Sequence, residues 1–116
     1  MELNDYQKQA LATDSFLRQE AVVPVTEMAF LAKVLGLVGE SGEFAEKIKK
    51  IIRNNDGIMS ENERVEILKE LGDVLWYIAS LSSYLGSDLE SVAQNNLDKL
   101  ADREKRDVIK SEGDNR

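Results

Sequence analysis

Turn-forming residues are confined to a few places in this chain, and that confinement governs what it can fold into. The only proline of 116 residues is Pro24; the next strong breaker is Asn54-Asn55-Asp56-Gly57, and the last before the polar end is Gly86. The intervals between them are rich in Leu, Ala, Glu, Lys and Ile, which form helices, whereas a sandwich or barrel would need turn residues throughout. With 42% of residues hydrophobic there is enough apolar material for one core, and the length suits one domain, residues 1–116.

Periodicity and capping chemistry predict four helices. The first covers about Asp5 to Glu20, with Tyr6, Ala10, Phe16 and Leu17 on its apolar stripe. Val22-Val23-Pro24-Val25 reads as a connector, and Thr26 as the cap of a second helix running to about Arg53. Ser60 with Glu63 forms a capping box for a third helix that ends at Tyr84 or Leu85, with Gly86 as its stop. Ser87 with Glu90 predicts a second box opening the fourth helix, to about Arg106, followed by a polar tail over 108–116. Two long helices joined by a short loop make an antiparallel hairpin, so the expected fold is an all-α four-helix bundle. One chain offers a limited core for two helices of that length, which predicts self-association burying much of Trp76 to Leu85.

The chain has neither Cys nor His. That excludes disulfide scaffolds, thiolate chemistry, the Ser-His-Asp triad and the Glu-x-x-His di-iron site. A net charge of −7 repels phosphate backbones, so nucleic acid is not an expected partner. The longest uncharged run, Val74 to Ser87, is too short to span a bilayer. A cytoplasmic location is expected.

Local preference is broken in two places. Gly36, Gly39 and Gly42 lie inside the second helix and Gly72 inside the third, each costing roughly 1 kcal/mol relative to Ala. Beside them stand Glu40, Glu43, Glu70 and Asp73. Glu40 shares a helical face with Leu37 and Phe44, and Glu70 with Ile67 and Val74, so the four acids are expected to point from two antiparallel helices into the interior. Such a cluster is repulsive unless a cation joins it. One resolution is interhelical salt bridges to Lys47, Lys49, Lys50 or Lys69, which leave Glu40 poorly served. The other is a hard divalent metal, Mg²⁺ first and Mn²⁺ second, because every ligand is oxygen. The basic run Lys47, Lys49, Lys50 and Arg53 closes the second helix, where cations suit the dipole; the alternative is phosphate contact, for which Lys50 is the first member to test.

Glu-x-x-Glu at Glu40 and Glu43 followed by Glu-x-x-Asp at Glu70 and Asp73 resembles the MazG-like nucleotide pyrophosphohydrolases. The flanking Gly36-Leu37-Val38-Gly39 and Val74-Leu75-Trp76-Tyr77 fit as well, and Asn96-Leu97-Asp98-Lys99-Leu100 with Arg103 is similar to a later family element. The resemblance implies an all-α homodimer or homotetramer with Mg²⁺ on Glu40, Glu43, Glu70 and Asp73. It also implies cleavage of a nucleoside triphosphate between the α and β phosphates, giving the monophosphate and pyrophosphate. Glu43 or Glu46 would then activate the water. Lys50, Tyr77, Asn96, Lys99 and Arg103 would contact substrate, while Trp76 packs in the core or an interface. The alternative is a non-catalytic bundle that binds a nucleotide or a partner protein and keeps the acids as a structural metal site.

Overall fold

The computed structural model describes residues 1–16 and 22–110, with side chains to residue 107. Four helices follow one another: α1 (Leu3–Leu11), α2 (Met28–Asn55), α3 (Glu61–Tyr84) and α4 (Leu89–Lys110). Among the described residues there is no strand. The chain is all-α, as its turn chemistry predicts.

The α2–α3 hairpin is the frame. With 28 and 24 residues, its arms are about 42 and 36 Å long. The turn between them forms as expected: Asp56 (φ 53°) and Gly57 (φ 81°) take the left-handed conformation, and the Gly57 N–H reaches back to the Ile51 carbonyl. The capping box of α3 is present in both directions, Glu63 N–H to Ser60 Oγ at 3.1 Å and Ser60 N–H to Glu63 Oε1 at 2.9 Å. Gly86, at φ 79°, stops α3.

Three boundaries differ from expectation. The first helix ends at Leu11, because the Thr13 hydroxyl turns back to the Ala10 carbonyl (2.7 Å) and Asp14 Oδ1 accepts the Phe16 N–H (3.0 Å), local bonds that compete with helix continuation. The remainder of that expected helix, residues 17–21, lies outside the described residues. Glu27, not Thr26, precedes α2, and its side chain makes no cap bond. The box of Ser87 and Glu90 does not form: Asp88 Oδ1 caps α4 through the Ser91 N–H (2.8 Å), and the Glu90 N–H is taken by Asn4 Oδ1 (3.0 Å). Helix α4 also runs one turn past Arg106, to Lys110; residues 111–116 lie outside the described residues.

The core sits at one end of the hairpin. Helix α1 lies over the C-terminal half of α3, where Ala10, Ala79 and Leu89 form a buried cluster flanked by Tyr6, Trp76 and Ile78. Gln7 brackets three elements: its amide donates to the Ala79 carbonyl (3.1 Å) and its oxygen accepts the Leu89 N–H (3.1 Å). A second cluster joins the connector to the hairpin through Val23, Phe30 and Tyr84, and the Val23 N–H bonds the Tyr84 carbonyl. Ala79, Ser80 and Tyr84 are wholly buried by the chain itself. Elsewhere in the Trp76–Leu85 segment Trp76, Tyr77, Ile78, Leu81 and Ser83 are half-buried and Leu85 is exposed. Among the described residues helix α4 touches α1 and α3 but not α2, and from Gln94 to Asp102 every residue is exposed.

Candidate metal centre

The face of α2 turned to α3 carries residues spaced by three and four. Down that face Phe30 and Lys33 are followed by Gly36 and Glu40, then Glu43 and Lys47, and finally Ile51. Opposite them on α3 stand Ile67, Glu70, Val74 and Tyr77. Halfway along the groove one carboxylate oxygen from each of Glu40, Glu43 and Glu70 lies within 4.8 Å of the others. Glu70 is buried, Glu40 half-buried and Glu43 exposed. Asp73, one turn along α3, is exposed and stands outside this group of three, close enough for its charge to act on Glu40.

The electrostatics are those of a site short of positive charge. Partial desolvation raises the Glu40 pKa above its ordinary value, and repulsion from Glu43, Asp73 and Glu70 raises it further. Lys47 Nζ pairs with Glu70 Oε1 at 3.1 Å. That hydrogen bond raises the lysine pKa against the cost of its desolvation, helped by the charges of Glu70, Glu66 and Glu43. The salt-bridge reading is thus correct for one oxygen of Glu70 and for no other acid of the group. Glu70 Oε2 is buried and has no hydrogen-bond partner among the described residues. A buried carboxylate oxygen without a donor is costly; a hydrogen bond from a protonated Glu40 to Glu70, which contributes to the raised Glu40 pKa, can relieve that cost, and so can a cation shared by the acids. The donor set is all oxygen, which suits a hard divalent ion and fits Mg²⁺ or Mn²⁺.

Tyr77 is half-buried on the same groove, one turn from Asp73. Gly36 makes its place: a Cβ at position 36 would overlap the Tyr77 ring. Trp76 meets Tyr77 edge-on (4.9 Å, 83°), and its indole N–H bonds Thr13 Oγ1 (2.8 Å) and the Ala10 carbonyl (3.2 Å). It is a packing residue. Beyond Lys47 the groove opens into a cavity of about 320 Å³ with Ile51 and Ile67 in its lining and Lys50, Asn54 and Asn62 beside them.

Glu46 is exposed and faces Lys49 at 3.6 Å, away from the three clustered acids. Asn96 and Lys99 are exposed and Arg103 half-buried on α4, which packs on α1 and α3 and, among the described residues, makes no contact with α2. One linked group escaped the sequence reading. Asp14 accepts from the Tyr84 hydroxyl (2.6 Å) and pairs with Lys33 (3.2 Å), whose ammonium lies 5.4 Å from the Tyr84 ring centre and 5.7 Å from that of Trp76. Its signal was Lys33 itself, the sole charge between Met28 and Gly39.

A family model described as the MazG nucleotide pyrophosphohydrolase domain matches residues 29–108, a span that holds all four acids and the α4 element. The chain is 50% identical over 82 residues to the "Gene 37 protein" of Mycobacterium phage L5, covering 71% of this chain and 72% of that relative. No solved structure matches it.

Proposed function

The chain belongs to the MazG nucleotide pyrophosphohydrolase family, and from that premise we propose that it is a magnesium-dependent nucleoside triphosphate pyrophosphohydrolase, cleaving between the α and β phosphates. The observation that carries the reading is the convergence of Glu40, Glu43 and Glu70, whose carboxylate oxygens lie within 4.8 Å of one another with a buried Glu70 oxygen that no cationic side chain among the described residues pairs with. The proposed ligands are these three with Asp73, for Mg²⁺ in preference to Mn²⁺. A bound divalent ion supplies the positive charge that an acidic protein needs to hold a triphosphate, and lowers the pKa of a coordinated water.

The chain's own residues do the rest. Lys47 holds Glu70 in place from the far side. Glu43, with Glu46 as the second candidate, orients the attacking water and takes its proton. As the water oxygen bonds to the α phosphorus, the bond from that phosphorus to the α–β bridging oxygen breaks, and its electron pair leaves with pyrophosphate. Lys50 and Tyr77, on either side of the acids along the groove, contact substrate. Asn96, Lys99 and Arg103 complete the set from a second copy, because their own helix makes no contact with α2 among the described residues; the proposed unit is a homodimer or homotetramer. The reading places the enzyme in the cytoplasm with its substrates; no helix among the described residues is long and apolar enough to cross a membrane.

Incubation with common and modified ribo- and deoxynucleoside triphosphates and Mg²⁺, followed by product analysis, tests the proposal. Monophosphate and pyrophosphate should form, and Glu40→Gln or Asp73→Asn should abolish them. Release of orthophosphate would contradict the cleavage position. Magnesium-dependent stabilisation without turnover of any triphosphate would identify the bundle as non-catalytic.

A further inference from the structure

Four glycines lie inside the two long helices, and the space beside them sets one apart. A Cβ at Gly39, Gly42 or Gly72 would meet no atom of the described residues within 4 Å. At Gly36 it would overlap Cε1 and Cζ of Tyr77 and stand 2.8 Å from the phenol oxygen. A glycine inside a helix costs roughly 1 kcal/mol relative to alanine, and of these four only Gly36 has its vacated space filled by the described residues. What fills it is the outer edge of the phenol, not the stem of the side chain.

The ring is restrained from a second direction. Trp76 meets it edge-on at 4.9 Å, and the indole is itself tied to Thr13 Oγ1 and the Ala10 carbonyl, with the Lys33 ammonium 5.7 Å from its centre. The hydroxyl is differently placed. Tyr77 is half-buried, and its phenol oxygen makes no hydrogen bond among the described residues. A hydroxyl carries one donor and two lone pairs, so this one is open to a ligand. It is held at the edge of the acid cluster, since Gly36 stands one turn, about 6 Å, along α2 from Glu40.

We infer that Gly36 is a positioning residue for nucleotide binding: its missing side chain seats the Tyr77 phenol against α2, where the hydroxyl hydrogen-bonds a polar group of the substrate beside the acids. The inference rests on the proposed nucleotide substrate and not on its hydrolysis. A methyl group at position 36 leaves the ring no room in that seat. The overlapping atoms are the far end of the side chain, so the ring can swing away by side-chain torsion and the helices need not part. Trp76, held by its own hydrogen bonds, blocks one direction of that movement. The displaced hydroxyl then misses the substrate, while the acids keep their places on α2 and α3. Gly36→Ala should therefore weaken binding and spare the chemical step.

Calorimetric titration of the full chain with Mg²⁺ and α,β-methylene analogues of the common nucleoside triphosphates reads binding without turnover. Gly36→Ala should keep its helical circular dichroism and bind at least tenfold more weakly. In the hydrolysis assay its KM should rise while kcat stays within twofold. Gly72→Ala, which fills open space, should bind as the wild type does. Tyr77→Leu removes the overlapping atoms, so adding Gly36→Ala to it should weaken binding no further. Stability gives a measurement without nucleotide. Gly36→Ala should raise the urea midpoint more in the Tyr77→Leu chain than in the wild type, because there the gain in helix propensity is not opposed by moving the ring. Undiminished binding by folded Gly36→Ala, the same weakening in both backgrounds, equal midpoint shifts in both, or a wild type that binds none of the analogues would each overturn the inference. A wild type that binds an analogue yet hydrolyses no triphosphate would refute the hydrolase reading and leave the role of Gly36 standing. Normal turnover by the wild type with unimpaired Gly36→Ala would do the reverse.

Discussion

At the scale of single residues, the site stores repulsion that the fold tolerates. Glu40 is partly desolvated among three other acids, and its raised pKa means that ionised Glu40 opposes folding at neutral pH. Replacing it with Gln removes that charge without removing volume. Glu40→Gln should therefore raise the urea midpoint of the metal-free protein while eliminating triphosphate hydrolysis; a lower midpoint would mean that Glu40 is structurally satisfied and the acids are not a strained cation site. Asp14 behaves in the opposite sense. Burial works to raise its pKa, but the Tyr84 hydroxyl, the Phe16 N–H and Lys33 together hold it below its ordinary 3.8. A depressed carboxylate contributes stability that is present above the unfolded value and lost as pH falls through the folded one. Denaturant midpoints measured from pH 6 to pH 2 should fall in that acid range for the wild type and show a shallower fall for Asp14→Asn. That variant should also lose about 1–3 kcal/mol at pH 7, because it leaves the half-buried Lys33 without its counter-charge. The two residues differ in how far the sequence announces them. Glu40 stands beside glycines in a repeated acidic spacing, whereas the partners of Asp14 are 19 and 70 residues away and become visible only once the chain has turned.

At the scale of elements, the stops at Gly57 and Gly86 and the cap of α3 were legible, whereas the early end of α1 and the cap of α4 were not. Ser60 and Glu63 sit three apart and cap α3 as their spacing predicts; Ser87 and Glu90 have the same spacing, yet α4 starts on Asp88 because Asn4 and Gln7 of α1 already occupy the first free N–H groups. Helix α1 thus serves as the N-terminal cap of α4 from outside, and Gln7 is its key side chain, 5% exposed. Gln7→Ala strands the buried Leu89 N–H and should cost about 1–3 kcal/mol, with amide exchange accelerating first in residues 89–92. Gln7→Glu keeps the acceptor for that N–H while losing the donor to Ala79, so protection at Leu89 should partly survive it. Equal loss in both variants would show that Gln7 acts through packing alone.

The whole molecule is a hairpin with a core at one end and a metal-competent groove midway, and this division explains where its stability resides. The hairpin was readable from two breaker clusters; the divergence of α4 was not, since an amphipathic helix carries no record of which neighbour covers its apolar side. The acids of the groove repel one another when ionised, and the proposed cation would relieve that repulsion. Binding to the folded state alone stabilises it by about 2.7 kcal/mol when the ion is at a hundred times its dissociation constant. For a chain of this size, that corresponds to a rise of roughly 10 °C or more in Tm. Thermal denaturation in excess EDTA and in increasing Mg²⁺ should show this rise, with Glu70→Gln abolishing it. Because self-association would also raise Tm, the comparison must be made at one protein concentration, and persistence of the full rise in the Glu70→Gln chain would mean that the ion stabilises the fold from another place.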